Sequence, residues 1–437
     1  MLKNFPQPYK SFNKKNLTKY SSTSKIIKAF FIALFLSAFI YLDYFGVTNF
    51  ALHVSAVFVG FYLLFNSEKL TWFFSGFFIG LFWFYWMGLS FRFYELTWMI
   101  PFVILGVGLI FGILFLVPSL ISKSPFIRVG ALLLLSQIAP FGFNWFHFEL
   151  PFMYTPFGLT PLHVASFMLG VLLIQNLKGA KKYLCIIFFI LSIDFSIKNE
   201  IAPFPLDLEI IQTDVSQKTK WDKAFITSTV NENLKEIEKA IENNKKVIVF
   251  PETAFPLYLN TNEEIINILK IYSQKIAIIT GSLAHEGEKY LNSAYFFDKG
   301  EMKRADKVVL VPFGEEVPLP NFLAKPINRI FFGVENDFTS AKEPVDFKID
   351  DVVFRTAICY EGSAKELHVN APKYMFVLSN NAWFLPSTEP TLQNLMLKLY
   401  ATKSDTLIYH VVNGEGGGVI TPRKSLVNEL YLRVRGN

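Results

Sequence analysis

The chain has 437 residues, of which 52% are hydrophobic and 17% aromatic, with Phe at 48 positions. That length suits three ordinary soluble domains, but residues 30–200 are nearly free of charge while 207–437 carry a normal soluble mixture, so a membrane region followed by a globular region is indicated. The formal charge of +6 requires no nucleic-acid partner, because much of it lies on Lys3, Lys10, Lys14, Lys15, Lys19, Lys25 and Lys28, where it reads as a topology signal.

Residues 1–25 are polar and basic and are expected to form a cytoplasmic tail with nothing to bury. The apolar run from Ile26 to Leu42 is too long for a signal-peptide core and lacks a small-x-small cleavage site, so it reads as a retained anchor. Further runs at 47–65, 71–90, 97–121, 126–142, 158–177 and 183–199 approach the ~20 residues needed to cross a bilayer. The membrane domain is therefore expected over 26–200 with about seven transmembrane helices, the runs holding Pro140 and Asp194 being the least regular.

Loop charge orients these spans. With the N-terminus inside, Lys69, then Lys123 and Arg128, then Lys178, Lys181 and Lys182 fall on inner loops, and the outer loops hold little more than Arg92. Seven crossings then deliver residue 200 onward to the non-cytoplasmic face. Phe141 to Phe157 is an aromatic outer loop, expected as a headgroup-level belt; the alternative is a rim guiding a lipid to an external site.

Beyond the linker Pro203–Pro205, short β-type runs alternate with helical segments. Strands are expected at 208–212, 246–250, 276–280, 292–297, 307–311, 352–358, 374–378 and 407–412, with helices at 223–243 and 263–274. The pattern indicates a layered α/β or α+β domain over 207–425, followed by a short tail at 426–437.

Three strand ends carry chemistry. Glu252 follows a buried strand and a proline, Lys307 opens the run Lys307–Val311 ahead of a Pro-Phe-Gly turn and Glu315, and Cys359 ends the run Val352–Ile358 with Tyr360 and Glu361 behind it. The other cysteine, Cys185, lies in an apolar run, so Cys359 has no disulfide partner and is either a small core hydrophobe or a nucleophile. A thiol needs a base, which a buried carboxylate supplies, and an ammonium favours the thiolate and holds an oxyanion. The six His show no paired ligand spacing, so no metal is expected.

Pro251-Glu252-Thr253-Ala254, then Lys307 with Leu310-Val311-Pro312-Phe313-Gly314-Glu315-x-Val317-Pro318, then Ile358-Cys359-Tyr360-Glu361 and Ser379-Asn380-Asn381-Ala382-Trp383-Phe384 resemble the nitrilase superfamily, and within it the apolipoprotein N-acyltransferases. The likeness covers nearly the whole chain. It implies an α-β-β-α sandwich behind a multi-span helical membrane domain, with Glu252 as base, Lys307 as oxyanion partner, Cys359 as nucleophile, and Tyr360, Glu315 and Glu361 supporting them. It implies Trp221 near a substrate entrance and Trp383 near the pocket, the alternative for each being a packing residue.

It further implies a bacterial inner-membrane location, no cofactor, a phospholipid acyl donor (phosphatidylethanolamine) and an apolipoprotein acceptor, with the acyl chain passing through a Cys359 thioester. Three departures stand out. The family commonly carries a membrane helix after the catalytic domain, whereas Ser425 to Arg435 is expected not to cross a bilayer; the segment Val412 to Gly418 has extra glycines; and Leu392 to Thr402 holds only Lys398 where the family is Arg-rich. The rival readings are a tethered amidohydrolase with water as acceptor, a His-dependent membrane acyltransferase using His147 or His163, and an inactive membrane scaffold.

Overall fold

In lipid, a backbone satisfies its own N–H and C=O groups by coiling, and the apolar first half of the chain is helical. The structure, a computed structural model, describes residues 14–329, 337–425 and 427–429. The first half holds α1 (Lys14–Tyr44), α2 (Phe50–Phe65), α3 (Lys69–Phe84), α4 (Ile100–Ile121), α5 (Pro125–Leu135), α6 (Pro161–Asn176) and α7 (Leu184–Leu191). Local chemistry sets several boundaries: Asn49 Oδ1 accepts the Ala51 N–H at 3.0 Å to start α2, and Pro follows the first residue of α4. α3 and α4 pack closely because Gly76 has no side chain; a Cβ there would lie 2.3 Å from the Phe111 carbonyl oxygen.

Two sequence expectations change here. Residues 14–25 are the first turns of α1, not an irregular tail, and residues 1–13 lie outside the described part. Seven crossings were expected and seven helices form, but among the described residues only Ser22–Tyr44, Lys69–Tyr94 and Thr97–Ile121 are long and apolar enough to cross a membrane. The run 126–142 yields an 11-residue α5, because the chain breaks ahead of Pro140 and Phe141 turns left-handed (φ 54°); α7 has only eight residues.

The aromatic loop 141–157 also departs from a headgroup belt. Trp145, Phe146, Phe148 and Phe152 are buried, joining the core of the helical half to the globular half. Trp145 Nε1 donates to Ser363 Oγ at 2.7 Å, and the Asn144 N–H donates to the Tyr360 hydroxyl at 2.8 Å. The linker is similarly anchored: Phe204 is buried against Phe354, Tyr374 and Phe376.

The second half is a four-layer α-β-β-α sandwich. β1 (Leu208–Ile210), β2 (Val247–Val249), β3 (Phe255–Tyr258), β4 (Ala277–Glu286), β5 (Lys289–Asp298) and β6 (Glu301–Asp306) form one sheet in the order β1-β2-β4-β5-β6, with β3 beside β4. β7 (Asp346–Ile349), β8 (Val352–Ile358), β9 (Tyr374–Asn380), β10 (Leu407–Asn413) and β11 (Gly418–Ile420) form the other in the order β11-β10-β9-β8-β7. The short α8 (Gln217–Lys220) precedes α9 (Lys223–Glu242); α10 (Glu263–Tyr272), α11 (Asn321–Ile327) and α12 (Glu389–Ser404) complete the helices.

Alternation along the strands builds the layers. Val247 and Val249 face the second sheet with Ile279, Phe354 and Phe376, whereas Ile248 faces Ile237 of α9 and Leu269 of α10. On the other side Met375 and Val377 of β9 meet Leu397 and Ala401 of α12. α12 shows two faces to two bodies, since Leu392, Leu395, Met396 and Leu399 pack into the helical half. The glycine-rich 414–418 segment is the turn of a hairpin, with Ile408 of β10 opposite Ile420 of β11.

Candidate active site

β2, β6 and β8 each end at the same edge of the sandwich, and each delivers one ionisable side chain. Glu252 follows β2 in a turn whose next residue, Thr253, is left-handed (φ 48°). Gly281 of β4 makes room for that turn, since a Cβ there would sit 2.6 Å from the Glu252 Cα. Lys307 follows the last residue of β6 instead of opening a strand; no strand forms over 307–311, because the Val308, Val309 and Val311 N–H groups are taken by side chains. Cys359 follows β8 with φ 53°, a conformation a non-glycine residue adopts only when its surroundings impose it.

A hydrogen-bonded chain joins the first two ends. Asn292 Nδ2 donates to Glu252 Oε1 at 2.8 Å and to Glu315 Oε1 at 2.9 Å, and Lys307 Nζ lies 2.8 Å from Glu315 Oε1 and 2.7 Å from Oε2. Glu315 is held in turn by the Val311 N–H at 2.9 Å. Glu361 ties in the third end: Oε1 accepts the Ile358 N–H at 2.8 Å, while Oε2 accepts the Val308 and Val309 N–H groups at 2.7 and 3.2 Å. The Cys359 sulfur accepts from Gln393 Nε2 of α12 at 3.7 Å.

Burial and mutual charge set the proton affinities. Burial pushes Glu252 above the usual carboxylate range, with Lys307 opposing and Glu315 adding to the rise. Burial alone would pull Lys307 down, but the Glu315 and Glu252 carboxylates hold it well above an ordinary lysine, so it stays an ammonium. Cys359 is pushed far up by burial and then by Glu252, with Lys307 opposing. The resting thiol therefore keeps its proton, and a base must take it as the sulfur attacks. Burial raises Glu361 to about 7 against the Lys307 charge and three backbone donors.

The sulfur opens onto an apolar cavity of about 360 Å³ between the two halves of the chain. Trp86, Met87 and Val107 form one side, Phe313 and Tyr360 the other, and Cys359 and Glu389 add a thiol and a carboxyl. Tyr360 forms this wall, its ring stacked on Phe143 and its hydroxyl fixed to the 142–144 loop.

The structure thus brings Glu252, Lys307, Cys359, Glu315, Glu361 and Tyr360 together. Neither Trp221, expected near a substrate entrance, nor Trp383, expected near the pocket, is on the cavity wall, although Phe384 beside Trp383 is. Trp221 ends α8 and is 40% exposed, while Trp383 stacks on Tyr94 at 5.7 Å and meets Phe93 edge-on, so it packs against the segment after α3. Sequence reasoning missed Asn292, Lys220, Gln393 and Glu389. Lys220 is buried and donates to the Glu252 carbonyl at 3.1 Å; Asn292 opens an expected strand, where nothing in the sequence marks it as a ligand of two carboxylates.

Residues 23–195 match the family model described as the apolipoprotein N-acyltransferase integral membrane domain, and residues 210–413 match that of the carbon-nitrogen hydrolases. A protein of Wolinella succinogenes named apolipoprotein N-acyltransferase is 45% identical over 407 residues, covering 90% of this chain and 95% of its own. Proteins of the same name from Helicobacter pylori and Campylobacter jejuni are 38% and 35% identical, covering 82% and 96% of this chain and 85% and 95% of theirs. With both halves matched and relatives of this likeness spanning nearly its full length, the chain belongs to the apolipoprotein N-acyltransferase family, membrane transferases of the carbon-nitrogen hydrolase superfamily.

Proposed function

We propose that this chain moves a fatty acyl group from a glycerophospholipid, with phosphatidylethanolamine as donor, to the α-amino group of the diacylglyceryl-modified N-terminal cysteine of apolipoproteins. The observation that carries the reading is the position of the Cys359 sulfur on the wall of an apolar cavity shared by the membrane helices and the catalytic sandwich. A nucleophile placed there meets substrates held in a bilayer, and a chain in the cavity is shielded from water by Trp86, Val107 and Phe313.

In the first half-reaction Glu252 takes the Cys359 proton as the sulfur attacks the ester carbonyl, Lys307 stabilises the oxyanion, and Glu252 returns the proton to the departing lysophospholipid oxygen. In the second the acceptor amine attacks the thioester, Glu252 accepts the amine proton, and sulfur leaves as the thiol. Glu315 and Asn292 hold the Lys307 and Glu252 side chains at their working positions.

The boundaries fit the same reading: a membrane domain over 26–200 and a catalytic domain over 207–425, multi-pass in the bacterial inner membrane and facing the periplasm. Support comes from how loop charge is distributed. Arg128 donates to the Ser67 carbonyl at 2.8 Å and Lys25 pairs with Glu68, so the start of α1, the α2–α3 loop and the α4–α5 loop, each with basic residues in or beside it, gather at one end of the helices. At the opposite end, the 3-10 turns 85–94 that continue α3 and the loop 141–157 meet the catalytic half, through Tyr85 to Thr388 and Trp145 to Ser363.

A transfer assay tests the function: purified protein, phosphatidylethanolamine with isotopically heavy acyl chains, and a synthetic diacylglyceryl-cysteinyl peptide. The reading requires a heavy amide-linked chain on the peptide and lysophospholipid in equal amount. Free fatty acid with an unmodified peptide would favour the hydrolase alternative instead.

A further inference from the structure

Among the described residues Glu389 is the one carboxyl on the cavity wall, and neither the fold nor the first half-reaction gives it a task. It opens α12, its side chain is 1% exposed, and Oε2 has no hydrogen-bond partner. It does not cap its own helix: its N–H is satisfied by Ser387 Oγ at 3.1 Å. A buried, unpaired carboxyl is costly, so a position that keeps one beside a reactive sulfur points to a charged visitor.

We propose that Glu389 is the seat for the acceptor's primary ammonium: its carboxylate draws the α-amino group of the lipidated cysteine into the cavity and takes one proton from it. The inference rests on the acyl-enzyme reading above and concerns its second half. The cavity otherwise offers apolar walls, so a ligand with lipid chains and a single cation is the class it fits.

The proton count balances. Ammonium and carboxylate become amine and carboxylic acid; the amine then attacks the thioester with Glu252 handling its second proton, and Glu389 returns its own to solvent after product leaves. Burial raises Glu389 to about 8, so in the empty cavity it is mainly a neutral acid at pH 7 and ionises as the ammonium docks beside it; a free α-amino group titrates at ~7.7–8.0, so the transfer between the docked pair is close to balanced. The surrounding titratable groups do not compete for the role. Cys359 and Tyr360 lie on the turn after β8, and the Tyr360 hydroxyl is engaged with the 142–144 loop. Tyr85 accepts the Thr388 N–H, Arg92 is directed at the Leu385 carbonyl, and His410, which burial lowers to about 4, bonds Asn394.

Single-turnover transfer tests this. Full-length wild-type and Glu389→Gln proteins are loaded with a heavy acyl chain, separately from phosphatidylethanolamine and from phosphatidylglycerol, then mixed with diacylglyceryl-cysteinyl peptide at pH 7 and pH 9. The expected result is transfer ~10-fold slower in Glu389→Gln at pH 7, where an unassisted amine is mostly charged, and within ~2-fold of wild type at pH 9. Glu389→Asp should recover part of the pH 7 rate. A deficit of equal size at both pH values, no deficit at pH 7, or a loading defect confined to phosphatidylethanolamine would each overturn the assignment, the last by giving the carboxyl to the donor's head group. Failure of the wild type itself to load would instead count against the acyl-enzyme reading.

Discussion

Glu361 accepts the backbone N–H of Val308 at 2.7 Å and so locks the residue after Lys307 to the turn that carries Cys359. The same carboxylate accepts from Ile358, one residue before the sulfur. Two strand ends from different sheets are thus held in register by one buried side chain. Glu361→Gln turns one acceptor oxygen into a donor that faces a backbone N–H. We predict a stability loss of about 1–3 kcal/mol and slower acylation of Cys359. Thermal unfolding in detergent and acyl-enzyme accumulation measure the two; an unchanged melting temperature with normal acylation would remove the bridging role.

Glu252→Gln leaves the Asn292 contact able to form but removes the proton acceptor. Acyl-enzyme formation should fall by ~10²–10⁴ while membrane insertion persists. A loss under tenfold, read by quenched-flow mass spectrometry, would assign the base elsewhere.

The acylation rate should rise with pH. Glu252 works as a base only when ionised, and burial places its titration above the ordinary carboxylate range. Rate is therefore lost as pH falls through that raised value, at a higher pH than an exposed glutamate would give. A profile still flat at the ordinary glutamate value of ~4.3 contradicts the assignment.

Val107 on α4 lines the cavity opposite the sulfur-bearing half. Val107→Phe should shift the chains found on Cys359 toward shorter lengths, with a stability change of no more than about 1–3 kcal/mol. Offering a mixture of phospholipid chain lengths and weighing the adducts checks this; an unaltered distribution would place the chain elsewhere.

Much of this was legible in the residues. Val352 to Ile358 reads as a buried strand and β8 covers those residues; the continuous apolar run Val247–Phe250 likewise marks β2. Lys307 was misplaced because Val308–Val311 has the composition of a strand, yet its N–H groups go to Glu361 and Glu315 instead of a neighbouring strand. The aromatic loop was read as a bilayer belt because composition cannot distinguish a ring facing lipid from one facing Tyr360 and Ser363. Glu389 carries no local signature beyond a Thr-Glu-Pro helix start, and its meaning depends on which cavity that start borders.

Peptide-resolved mass spectrometry of the protein purified in phospholipid tests the central claim most directly. The account predicts a fatty-acyl adduct on the Cys359 peptide, released by neutral hydroxylamine and absent from Cys359→Ala. An adduct that persists in Cys359→Ala, or an unmodified Cys359 in protein that actively transfers acyl chains, would contradict it.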